Sequence, residues 1–218
     1  MLNKNIIVVQ NLIRILPLEA LENYEIVANL VRGFGIVQWG PDAFGDDEKF
    51  KNAGANMAGV YQTPIQIAKA LVYLSAFDIN SYCEIGVFQG GNFLFVSEYL
   101  RRFNPEIKCV GIDPTDFLNP EIKEIIEAEN WLSFISATSN EIKKKKFDLV
   151  FIDGNHIDGW VKTDWGNVGK YAKICMLHDI QETTCPEIVE FWDKLDGKKI
   201  EFLDCSTKQP SQGIGIIL

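Results

Sequence analysis

Two histidines occur in this chain of 218 residues, and each stands close to an aspartate at the end of a short apolar run. One run reads Phe147-Asp-Leu-Val-Phe-Ile-Asp153-Gly-Asn-His156, the other Ile174-Cys-Met-Leu-His178-Asp179. A neutral imidazole, with a pKa near ~6.5, can take a proton from a hydroxyl, which makes His156 a candidate general base. Carboxylates and imidazoles also hold divalent ions. Asp153, His178 and Asp179 are therefore candidate ligands for a metal that lowers the pKa of a bound hydroxyl. The two roles are compatible. A purely structural alternative is that Asp153 and Asp179 cap the helices that follow them.

A second constellation lies upstream, in Tyr82-Cys-Glu84-Ile-Gly86-Val-Phe-Gln-Gly90-Gly91-Asn92. Glycines at a strand-to-helix turn let the backbone approach a ligand closely. Asp113 follows Gly91 by 22 residues, about where an acidic side chain accepts hydrogen bonds from ribose hydroxyls. A dinucleotide site carries GxGxxG, whereas this chain has GxxxGG with Glu84 just ahead of it. A carboxylate there would repel a pyrophosphate but suits a ligand bearing an ammonium and a sulfonium. The pattern implies S-adenosylmethionine rather than a nicotinamide or flavin dinucleotide. The alternative is a tight turn with no ligand.

The elements that must position these residues can be read from periodicity. Tyr82–Val87, Lys108–Ile112, Trp131–Ser136, Phe147–Ile152, Ala172–Leu177, Lys199–Leu203 and Gly213–Leu218 read as strands. Between them Gly91–Phe103, Pro120–Glu129, Gly159–Lys170 and Glu187–Leu195 read as helices. This alternation predicts an α/β fold, with a Rossmann-like, seven-stranded, mostly parallel sheet covered by helices on both faces. The last two strands are joined by a short polar link and should form an antiparallel hairpin. In such a sheet ligands sit beyond the carboxyl ends of the strands, where all the residues above are found.

Upstream, Ile6–Leu16 and Leu18–Val31 read as helices, Trp39–Val60 as a glycine-rich loop, and Pro64 as the opening of a further helix. Trp39 is the aromatic residue best placed by this pattern to touch a substrate; Trp160 and Trp165 are assigned to the core. The division expected is a helical cap with its loop over residues 1–56, followed by a ligand-binding domain over 57–218.

Composition is ordinary for a globular chain, with 47% hydrophobic and 23% charged residues. A net charge of −9 argues against a nucleic-acid partner, since such proteins gain affinity from clustered Lys and Arg. The one basic run, Lys143–Lys146, reads as a solvated loop. Five cysteines without a CxxC pair, no leader peptide and no apolar stretch of membrane-spanning length point to a soluble cytoplasmic protein with free thiols. Assembly into a homo-oligomer is compatible with the composition.

Gln62-x-Pro64, the Glu84–Gly91 motif, Asp113, Asp153-Gly-Asn-His156, Asp164, His178-Asp179 and Gly213-Ile-Gly215 together resemble class I methyltransferases of the "family 24" type. They are more distantly similar to the sugar O-methyltransferases of macrolide biosynthesis and to cephalosporin hydroxylase-like proteins. The resemblance covers about residues 57–218. It implies that Glu84, Gly86, Gly90 and Gly91 line the methionine half of the cofactor, that Asp113 binds the ribose, and that Thr138 or Ser139 borders the adenine. In the macrolide enzymes the Asp of the DGxH motif holds magnesium and its His acts as base, the places taken here by Asp153 and His156. Asp153 then borders both cofactor and acceptor. His178-Asp179 stands where those enzymes have two carboxylates, and a softer imidazole ligand suits Mn²⁺ or Fe²⁺ better than Mg²⁺. The Pro-Gly-Gly turn usual before the fifth strand is replaced by Lys170-Tyr-Ala-Lys173.

The reading that follows is methyl transfer from S-adenosylmethionine to an oxygen of a small hydroxylated acceptor such as a sugar, with His156 as base and Mg²⁺ or Mn²⁺ as an optional second cofactor. Two alternatives stay open. One is a non-catalytic S-adenosylmethionine-binding protein whose helical N-terminus meets a partner. The other is an N-methyltransferase, although that class commonly carries Asn/Asp-Pro-Pro-aromatic where this chain has Ile152-Asp-Gly-Asn-His156.

Overall fold

The computed structural model describes residues 4–35, 59–203 and 212–218. Trp39, most of the Trp39–Val60 loop and Cys205 lie outside the described residues. Seven strands form one sheet: β1 (Ser81–Ile85), β2 (Lys108–Asp113), β3 (Leu132–Ser136), β4 (Leu149–Ile152), β5 (Ile174–His178), β6 (Lys199–Phe202) and β7 (Ile214–Ile217). Their order is β3-β2-β1-β4-β5-β7-β6. β7 runs antiparallel to both of its neighbours, and the other pairs are parallel. The Rossmann-like sheet read from the sequence is thus present. The structure adds that β7 inserts between β5 and β6, so the closing hairpin is also the bridge to the parallel part. Gly215 allows this insertion, because a Cβ there would sit 2.6 Å from the ring of Trp192, which lies across the strand.

Eight α-helices occur among the described residues: α1 (Lys4–Ile15), α2 (Leu18–Leu21), α3 (Tyr24–Phe34), α4 (Pro64–Leu74), α5 (Gly91–Phe103), α6 (Pro120–Ala128), α7 (Trp160–Asn167) and α8 (Pro186–Lys194). The segment read as one helix from Leu18 to Val31 is two. Asn23 restarts the helix by accepting hydrogen bonds from the amides of Glu25 and Ile26, at 2.9 and 3.3 Å. The helix read over Gly159–Lys170 ends early, at Asn167, and a 3-10 turn over Gly169–Tyr171 completes the span. None of these helices is long and apolar enough to cross a membrane.

Alternation along the buried strands sends side chains to two cores. Leu149 and Phe151 of β4 join Phe93, Phe95, Leu71 and the N-terminal helices on one face. Val150 and Ile152 join Val161, Ile188 and Trp192 on the other. Of the two tryptophans assigned to the core, Trp165 packs against this second cluster, while Trp160 is half-buried and belongs to neither. The first ten residues of α5 are all buried, because the sheet covers one side and α1 to α4 the other. Glu98, in the middle of α5, is buried yet charged. It is held by Arg14 and by Gln10 of α1, the latter at 2.9 Å.

The strand order reverses between β1 and β4, and the two chains come together just past their ends. The Asp153 amide donates to the Ile85 carbonyl at 2.9 Å, and Gly86 turns with φ +88°. A Cβ on Gly86 would lie 2.1 Å from the Asp153 carbonyl oxygen and 2.5 Å from the Gly154 Cα. Both obstacles are backbone and cannot swing aside. Gly86→Ala should therefore cost more than left-handed backbone strain alone, which is about 1–2 kcal/mol, and should unfold at a clearly lower denaturant concentration. A midpoint equal to wild type would show that the close approach is dispensable.

Candidate active site

β1 carries Glu84 on its buried length, paired across the sheet with Gly111 of β2 and Phe151 of β4. The Glu84 carboxylate accepts a hydrogen bond from the Tyr82 hydroxyl and another from Asn92 Nδ2 at 3.0 Å. Burial pushes its carboxyl up, against those two hydrogen bonds, to a pKa of about 8. Asn92 Oδ1 beside it is buried with no protein partner. An acidic group and an unsatisfied acceptor in one apolar enclosure fit a ligand ammonium, which would draw Glu84 back into its ionised form.

After Gly86 the loop passes through Phe88, a non-glycine residue at φ +46°, and ends at Gly90, which caps α5 at φ +88°. A Cβ on Gly90 would meet Ile122 at 2.7 Å and Leu118 at 2.9 Å. Both motif glycines are thus demanded by packing as well as by conformation. Gly91 opens α5 and is buried. Asp113, at the end of β2, bridges two loops: it accepts from the Phe88 amide at 2.9 Å and from the Thr115 amide at 3.1 Å. Each carboxylate oxygen keeps a further lone pair.

After β3, Thr138 caps a 3-10 turn over Ser139–Ile142 and pairs with Glu141 in a capping box. Ser139 is buried and accepts from Asn167 of α7 at 2.9 Å. It also bonds Asp164, whose carboxyl is raised by burial.

The ends of β4 and β5 bring the histidines and aspartates together. His178 Nδ1 lies 3.0 Å from Asp153 Oδ1 and 3.3 Å from Asp179 Oδ2. His156 Nε2 lies 3.3 Å from Asp179 and 3.9 Å from Asp153. Asp179 adopts φ +59°, a left-handed conformation that aspartate tolerates better than most residues. Neither aspartate caps a helix, since α7 starts after Gly159 and α8 after Cys185. The capping alternative is not what the fold uses.

Two residues given no role from the sequence join the cluster. Gln62 donates from Nε2 to Asp153 Oδ2, while its own Oε1 is buried without a partner. Cys185 places Sγ 3.3 Å from His156 Nδ1. The Gln62-x-Pro64 pairing was visible as a motif, its direction toward Asp153 was not. Cys185 offered only its position just before a helix-opening proline.

Burial would lower the pKa of both imidazoles, but the aspartates outweigh it. His178 is held well above its usual value, and His156 is raised to about 10. Asp153, which burial would raise, is instead held below the usual carboxylate range by His178 and His156. Two imidazolium ions and two carboxylates make the cluster neutral overall.

These features, a glycine turn with a buried acid at the end of β1 and an acid-histidine cluster at the ends of β4 and β5, meet at the strand-order reversal. Residues 83–180 match the family model described as a methyltransferase domain. The segment from β1 to just past β5 is thus similar to a methyltransferase domain. No curated protein matches the chain. Among solved structures it is similar to the O-methyltransferase from Bacillus cereus in complex with SAH (12% identity, TM-score 0.57, 90% of this chain and 100% of that one). It is likewise similar to cofactor-bound Rv0187 from MTB (16% identity, TM-score 0.55, 83% and 99%). A third is TomG, an O-methyltransferase of Streptomyces achromogenes in complex with SAM, at 14% identity and a TM-score of 0.52 over 73% of this chain and 81% of that one. At these identities the likeness establishes the shared fold.

The raised Glu84 carboxyl gives the protein a pH signature. Between the ordinary carboxyl pKa and about 8, the folded state keeps a proton that the unfolded chain releases. Stability should therefore fall as pH rises through that window, with a slope on the order of 1 kcal/mol per pH unit from this group. Glu84→Gln should flatten that fall, as read by denaturant melts at pH 5, 6.5 and 8. An unchanged slope in the variant would place the titration elsewhere.

Proposed function

We propose that this protein is a methyltransferase that transfers the methyl group of S-adenosylmethionine to a hydroxyl of a small acceptor such as a sugar. The observation that carries this reading is the contact between the Asp153 amide and the Ile85 carbonyl. It sets the acid-histidine cluster one peptide away from the glycine turn beside Glu84. A donor seated over that turn would present its methyl group to an acceptor at Asp153 and His156, so that in-line geometry comes from positioning alone. The solved O-methyltransferases that hold SAH or SAM on the same fold support the same donor.

In this reading Glu84 and Asn92 take the donor's ammonium, Asp113 its ribose, and Thr138 and Ser139 border the adenine, with Gly86, Gly90 and Gly91 shaping the turn. Asp153 meets both donor and acceptor. The helices before residue 57 act as a cap, with Arg14 and Gln10 holding them to α5 through Glu98.

The donor set Asp153, His178 and Asp179 fits a divalent ion. Separations of 3.0 and 3.3 Å are those of neighbouring ligands on an ion with bonds of about 2.1 Å. When bound, such an ion supplies Lewis-acid activation of the acceptor hydroxyl. His156 keeps its proton while Asp153 and Asp179 both face it with unshared negative charge. It becomes a proton acceptor once that charge is engaged elsewhere.

Calorimetric titration with SAH, with and without Mg²⁺ and Mn²⁺, tests the donor site directly. Binding should release about one proton from Glu84 near neutral pH, seen as a dependence of the apparent heat on buffer ionisation enthalpy. Absence of SAH binding would sink the proposal. For the chemistry, His156→Ala should keep SAH affinity and lose turnover by at least about 100-fold on a panel of sugars and small alcohols. SAH binding with no turnover by the wild type on any acceptor would favour a non-catalytic binder.

A further inference from the structure

Cys185 is the cluster member that the methyl-transfer reading does not use. It stands at the N-cap of α8, just before Pro186, a position where Ser, Thr, Asp or Asn would cap the helix. Its side chain makes no capping bond. Instead Sγ turns back toward His156 Nδ1 at 3.3 Å and Asp179 Oδ2 at 3.9 Å. Asp179 in turn faces His156 Nε2 at 3.3 Å. One sulfur, one imidazole nitrogen and one carboxylate oxygen therefore lie within 4.8 Å of one another. They are arranged separately from the Asp153, His178 and Asp179 set and share only Asp179 with it.

We propose that His156, Asp179 and Cys185 form a site for a borderline-soft divalent ion such as Zn²⁺, and that an ion there blocks methyl transfer. This rests on the reading of His156 as the acceptor's base. The donor chemistry sets the ion. A thiolate with an imidazole and one carboxylate suits Zn²⁺ or Co²⁺, whereas Mg²⁺ prefers an all-oxygen shell. Geometry agrees: bonds of about 2.0 Å to nitrogen and oxygen and about 2.3 Å to sulfur put tetrahedral ligands about 3.3–3.6 Å apart. Sγ faces Nδ1 and the carboxylate faces Nε2, so the His156 ring turns to bring one nitrogen to a centre shared with both. Cys185 and Asp179 are buried and fixed, while the His156 side chain is 36% exposed, which leaves the fourth position open to water. Binding releases the Cys185 thiol proton and the His156 imidazolium proton to solvent. An imidazole bound to an ion has no lone pair for an acceptor proton, so occupation silences the base.

Cobalt reports thiolate ligation directly. Titrating the full chain with Co²⁺ should produce a near-ultraviolet sulfur-to-cobalt charge-transfer band, displaced by Zn²⁺ and not by Mg²⁺. Asp153→Asn should keep the band. Cys185→Ser should abolish it and weaken Zn²⁺ binding at least about tenfold, with SAH affinity showing that the fold is kept. In turnover assays Zn²⁺ should inhibit the wild type and spare Cys185→Ser at the same concentration, whatever that variant's own rate. Cobalt bound without the charge-transfer band, or a band that survives in Cys185→Ser, would overturn the site. Loss of SAH binding would fault the methyltransferase reading instead, so the two failures are distinguishable. Inhibition of Cys185→Ser equal to that of wild type would overturn the blocking role.

Discussion

The contact of two backbones at the ends of β1 and β4 is the constraint on which the rest of the site depends. Gly86 lies so close to the Asp153 carbonyl that no side chain fits between them. That closeness follows from parallel pairing of adjacent strands continued one residue past the sheet, where the Asp153 amide still bonds Ile85. Because of it, the glycine turn beside Glu84 and the aspartate beside the two histidines are one rigid piece. The glycine is there for the protein's own backbone, and the crevice is a consequence.

Electrostatics in this crevice is governed by burial. Removing a carboxylate from water costs several kcal/mol, so each buried acid is either neutral or paired. Glu84 takes the first course and keeps its proton to about pH 8. Asp153 and Asp179 take the second and share two imidazolium partners. Both arrangements are waiting states: a cation beside Glu84 would ionise it, and an ion among the aspartates would displace the imidazolium protons. Under the proposed function, both sides would suit cationic ligands, by opposite means.

The cluster is held by pieces far apart in sequence. Gln62 reaches Asp153 from the loop before α4, and Gln212, just before β7, bonds Thr63 and the Tyr61 carbonyl. The segment that leads into α4 is thus fastened between β4 and β7. On the opposite side, the N-terminal helices complete the burial of α5, polar Asn92, Ser97 and Glu98 included, and the Arg14–Glu98 pair fixes their register. Which partner a buried Glu on such a helix will meet is not written in the helix's own period.

The sequence by itself determined the order and type of the elements, since periods of two and near 3.6 survive any tertiary context that buries one face. It also placed the acids, histidines and glycines at strand ends. The residues that meet at the candidate site were therefore largely visible, from Glu84 and Asp113 to Asp153, His156, His178 and Asp179. Tertiary structure alone decided three things. β7 enters the sheet between β5 and β6 through the Gly215 contact with Trp192, a long-range fit that no local period records. Gln62 and Cys185 join the cluster because loops fold back, and a lone Gln or Cys carries no spacing signal. Finally, the proton states of Glu84, His156 and His178 depend on distances and burial set when distant segments close around them. A residue's chemical type is written in the chain, but its charge is decided by its neighbours.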